Sequence, residues 1–166
     1  MTKRVLIVLV LWLIPLLAFA ELGLGGAVYF NSPMLIGQEP ELSGLRSGGV
    51  SFGGDLRLKL RLLQLEALGL VTVENEATAL DLYTDVGLAL DLPLLRLSLG
   101  AGPNFTYLFG GAADPTMFGF NLKANADLRL GRLTLGLSYL TGLIIDDGVA
   151  WDLSTGLLGA SVLFWL

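Results

Sequence analysis

Apolar and polar residues alternate along this chain, one strand length after another. A period of two sustained over such runs admits β-structure only, because successive side chains of a strand point to opposite faces. Asp55 to Leu60 reads Asp, Leu, Arg, Leu, Lys, Leu. From Phe118 to Leu130 the positions Phe118, Phe120, Leu122, Ala124, Ala126, Leu128 and Leu130 interleave with Gly119, Asn121, Lys123, Asn125, Asp127 and Arg129. One face is close to pure leucine and the other carries the charge.

Eight such segments are predicted, at 21–30, 49–60, 63–73, 79–92, 94–106, 117–130, 133–141 and 151–166. Most run to about 9–14 residues, enough to cross a bilayer as tilted strands. Their connections alternate in length. Arg61-Leu62, Pro93 and Gly131-Arg132 make short turns, whereas Asn31–Gly48, Glu74–Thr78, Tyr107–Thr116 and Gly142–Ala150 are longer loops. Short turns at one end and long loops at the other are the layout of barrels in bacterial outer membranes. A soluble barrel with leucine inside is excluded by volume. The interior of an eight-stranded barrel holds side chains or one small ligand, and Leu80, Leu82, Val86, Leu88, Leu90 and Leu92 of a single segment would overfill it. The small and polar residues fit inside, so leucine faces lipid, and closure leaves no backbone edge unpaired there.

The fold class expected is therefore all-β, an eight-stranded antiparallel up-and-down transmembrane barrel. The 166 residues make one such domain, 54 % apolar and only 15 % charged, against about a quarter charged in ordinary soluble domains. Before it, Lys3 and Arg4, the apolar stretch Val5–Leu17 and Ala18-Phe19-Ala20 read as a secretory signal cleaved before Glu21. Removing those 20 residues takes the net charge from −5 to −7. An acidic chain with no basic tract is a poor nucleic-acid binder.

Aromatic residues sort by height. Phe30, Phe52, Tyr83, Phe105, Tyr107, Phe118, Phe120, Tyr139 and Trp151 lie toward the long-loop ends of their segments, and Phe164 and Trp165 at the opposite rim. Two girdles at the membrane–water interfaces are expected of this architecture.

By its signal, strand count, alternating loop lengths and final strand, the chain resembles the small eight-stranded outer-membrane barrels of the OmpA, OmpX and OmpW type over residues 21–166. The resemblance implies an outer-membrane location and a monomer. It also implies that Leu158, Val162, Phe164 and Leu166 of the last strand form the signal read by the outer-membrane assembly machinery. The chain departs from that pattern in ending on Leu166 rather than an aromatic residue, with Trp165 beside it. The OmpW-like side of the resemblance implies an apolar mouth for a small hydrophobic ligand, built from Met34-Leu35-Ile36, Leu108-Phe109, Leu68 and Leu70. The last two face inward only in the register that turns Leu63, Leu65 and Val71 outward.

In these registers the lumen receives Glu21, Asp55, Arg57, Lys59, Glu66, Asp81, Asp85, Asp91, Arg96, Lys123, Asp127 and Arg129, seven acids and five bases. Buried charges are normally paired, since an isolated one is expensive to desolvate. A salt-bridged plug and a narrow, slightly cation-selective water path both fit. The acids Glu39, Glu41, Glu74, Glu76, Asp114, Asp146, Asp147 and Asp152 fall in or beside the long loops. They read as solvated carboxylates, without the ligand spacing of a calcium loop. There is no cysteine and no histidine, so thiolate metal sites and a Ser–His–acid triad are both excluded. No enzyme constellation, cofactor or metal site is expected. The roles that remain are a structural or surface-interacting barrel with a plugged or very narrow lumen, a channel for small solutes or hydrophobic compounds, and an adhesin acting through its loops.

Overall fold

A computed structural model describes residues 20–32, 49–74, 77–109, 116–145 and 149–166. They form eight strands, β1 (Ala20–Ser32), β2 (Val50–Leu60), β3 (Leu63–Glu74), β4 (Ala77–Asp91), β5 (Leu95–Phe109), β6 (Thr116–Leu130), β7 (Leu133–Ile145) and β8 (Val149–Trp165). Each pairs antiparallel with its sequence neighbour, and β1 pairs with β8, so the sheet closes into a barrel in simple up-and-down order. The expected signal segment, the Met34-Leu35-Ile36 run and loop acids such as Glu39, Asp114 and Asp146 lie outside the described residues.

Alternation decides which way each strand faces. Leu56, Leu82, Val86, Leu88, Leu97, Leu99, Leu135 and Leu137 are exposed on the outside, while Asp55, Arg57, Lys59, Asp85, Arg96, Ser98 and Lys123 are buried within. This inversion of a soluble protein's burial is stable only where lipid replaces water around the barrel. β3 takes the register that buries Leu68 and Leu70.

Several strands extend past their expected ends. β5 runs on to Phe109 and β7 to Ile145, taking in residues read as loop. A register shift between Thr141 and Leu143 lets β7 continue against β8. Pro93 alone does not make the β4–β5 turn, because β5 begins only at Leu95. The turns at the other two short connections place their first residue at positive φ, 59° for Arg61 and 68° for Gly131. Glycine accepts that conformation freely, whereas arginine does so at a cost of about 1–3 kcal/mol.

Where the barrel closes, Tyr29 of β1 lies opposite Gly159 of β8. A Cβ on Gly159 would fall on the Tyr29 ring, so the missing side chain is the seat of that ring. Gly159→Ala is expected to destabilise the barrel by about 1–3 kcal/mol through overpacking. The effect is measured as a lower urea midpoint for loss of the compact, heat-modifiable gel band. Adding Tyr29→Leu should recover part of it.

Candidate functional site: the barrel lumen

The lumen is layered from the short-turn end upward. At the bottom, Arg96 donates from Nε to Asp91 at 2.6 Å and from Nη2 to Glu21 at 2.7 Å. Lys59 also pairs with Asp91, and Arg129 lies 3.5 Å from it. The Arg96 guanidinium stacks 4.2 Å from the centre of the Trp165 ring, whose indole N–H donates to Thr134.

Arg57 organises the next layer and is fully buried. It donates to Asp55 at 2.7 Å and to Asp127 at 2.8 Å, and its Nε is 3.3 Å from Glu66. Strand order brings these together from distant sequence, since β2 and β3 are neighbours but Asp127 reaches across the barrel from β6. Glu66 also binds Lys123. Asn125, Ser98 and Gln64 complete the layer, with the Asn125 amide donating to Ser98 at 3.0 Å.

Above the charges the wall becomes apolar on one side. Tyr29, Leu68, Leu70, Tyr83 and Leu140 pack together as a buried cluster with Ala27, and Lys123 Nζ sits 5.4 Å from the Tyr29 ring centre. Next to this cluster, along β4 to β6, Asp85 accepts from Asn121 and Asp81 accepts from the Thr106 hydroxyl.

Each of the twelve charges placed inside by the alternation lies on the inward parity of its strand. Two aromatic residues expected in the girdles do not stand there. Tyr83 is buried in the apolar cluster and Trp165 is buried over Arg96 and Gly23. Both share their strand's inward parity, with Asp81 and Asp85 in the first case and Leu163 in the second. The outer band contains Phe30, Phe52, Phe105, Phe118 and Phe120 at the long-loop end and Phe164 at the other. Phe105 and Phe118 pack at 5.0 Å, and Phe118 and Phe120 at 5.4 Å. Tyr139 lies where a Gly156 side chain would stand. Trp151 pairs through its backbone with Leu143. Leu158, Val162 and Phe164 form an exposed outer row on β8, and Leu166 follows it with its N–H bonded to Leu22.

Three contributors escape the sequence reading. Tyr29 shares the parity of Glu21 on β1, and that was the available signal. Phe109 extends the outer aromatic band, 4.8 Å from Tyr107, once β5 is followed beyond Thr106. Gln64 is inward by the same parity as Glu66.

No family model matches the chain, and no curated protein matches it in sequence. Among solved structures it is similar to Neisserial surface protein A (NspA), with a TM-score of 0.60 at 15 % identity over 87 % of this chain and 96 % of that one. It is also similar to the N-terminal β-barrel domain of Pseudomonas aeruginosa OprF, with a TM-score of 0.60 at 13 % identity over 89 % and 98 %. The fold is that of the small eight-stranded outer-membrane barrels.

Proposed function

We propose that the protein is an outer-membrane barrel with a structural or surface-interacting role, and that its lumen is plugged. The observation that carries this reading is the packing of the lumen's own long side chains. Arg57, Arg96, Lys123, Tyr29, Leu68 and Leu70 all have at most 1 % of their surface exposed. An interior of eight strands has little room to spare, and here ion pairs fill its lower half and an apolar cluster much of its upper half. Leu68 and Leu70 are committed to Tyr29 and Tyr83, which argues against their lining a mouth for hydrophobic compounds. The likeness to a surface protein and to the barrel domain of OprF accords with the envelope setting. In this reading residues 1–20 are removed on export, the outer row of β8 is the assembly signal, the barrel is a monomer, and any external partner meets the loops.

Conductance tests the plug. The folded protein, verified as folded by its gel mobility, should be electrically silent in a planar bilayer. Steady cation-selective openings would replace the plug with a pore.

A further inference from the structure

All five lumen bases are paired with carboxylates, through Asp55, Glu66, Asp91, Asp127 and Glu21. The two remaining lumen acids, Asp81 and Asp85, both belong to β4, and among the described residues neither has a lysine or arginine nitrogen at ion-pair distance. Asp85 is 4 % exposed, so bulk water does not meet its charge.

Its hydrogen bonding is incomplete. Asn121, 3 % exposed, donates its amide to one oxygen of Asp85. Among the described residues the other Asp85 oxygen, Oδ2, is buried with no hydrogen-bond partner, and so are Oδ1 of Asn121 and Oδ1 of Asn104. The nearest inward ladder neighbours are Glu66 on β3, Tyr83 on β4, Gly100 and Gly102 on β5, and Lys123 on β6. The Lys123 ammonium is held by Glu66. Gly102 stands opposite Asn121, and Gly119 opposite Asn104, whose amide packs against the Gly119 backbone.

Water bound there would satisfy the oxygens and leave the charge. A cation meets both. Calcium and magnesium call for several carboxylates or near-octahedral oxygen sets, and the described residues hold no group of three acids able to take a metal. Carbonyl oxygens that replace a hydration shell suit an alkali ion. We infer that Asp85 and Asn121 bind an alkali metal cation in the lumen, reached from the long-loop end past Asp81. Asp81 lies four residues further up the strand, about 13 Å away, partly exposed beside Thr106. The Glu66–Lys123 pair closes the route below. The site holds an ion whether or not the barrel conducts, so its test is separate from the conductance test.

The experiment is unfolding of the folded protein at fixed ionic strength in potassium, sodium, caesium or N-methylglucamine chloride. A ligand bound only by the folded state raises the midpoint with its concentration. The expected result is a saturable rise in at least one alkali chloride over N-methylglucamine. Asp85→Asn should abolish it, and Asp81→Asn should raise the half-saturating concentration several-fold. Asn121→Ala is the second variant, read if Asp85→Asn does not fold, and it too should abolish the rise. Equal midpoints in all four salts would overturn the inference and leave Asp85 neutralised by a proton. A rise unchanged in both Asp85→Asn and Asn121→Ala would overturn it by placing the ion elsewhere.

Discussion

Arg57→Met lowers the stability of the barrel by about 3–5 kcal/mol, the range for breaking a buried ion pair by removing one partner. The substitution replaces one long side chain by another, so the loss is electrostatic rather than a cavity. Arg57 is the shared partner of Asp55, Glu66 and Asp127. Without it, Asp55 and Asp127 keep no cation within ion-pair distance among the described residues, while Glu66 retains Lys123. Urea unfolding in detergent or lipid, followed by gel mobility, gives the number. Adding Asp55→Asn and Asp127→Asn to Arg57→Met should restore a large part of it, since the stranded charges are then gone. An unchanged midpoint for Arg57→Met alone would mean that water solvates the middle of the lumen.

The second large effect is on the outside. Val86 stands on the outer face of β4, between Leu65 of β3 and Ala101 of β5, and is 58 % exposed. Val86→Arg should cost about 2–4 kcal/mol, the price of a cation near the bilayer midplane. Leu94, in the short turn between β4 and β5, is similarly exposed. Leu94→Arg should cost only about 0–1 kcal/mol, because the guanidinium there reaches the headgroups. The contrast between the two positions, measured in vesicles, is the quantity of interest. Equal and small costs would mean that the leucine face is not in hydrocarbon.

The inside–outside pattern was legible because a period of two leaves a mark on every residue, and one slip would reverse it for a whole strand. The strand ends were less so. Leu108-Phe109 and the residues after Gly142 continue strands whose sequence also suits a loop, and the register shift at Thr141 leaves no local signature. Height along the strand alone sends Tyr83 and Trp165 to the girdles. Parity, already decisive for their charged neighbours, places both inside. The partners of each charge were not legible at all. Arg57 meets Asp127 only because the stagger of the closed sheet brings β6 across from β2, and no spacing in the sequence records that stagger.

The pairing of β1 with β8 has a consequence for how the molecule comes into being. Gly23 is opposite Trp165, so the ring is completed by β1 and β8, with six strands between them in the chain. Such non-local pairing is slow, since the long loop must close before the contacts reward it. Until β8 exists, the growing sheet presents two open rows of amide and carbonyl groups together with a belt of leucines. Each row is a template for joining another chain. A copy interrupted anywhere before β8 would be a sheet with two adhesive edges and a greasy face, a species more given to clumping than to insertion.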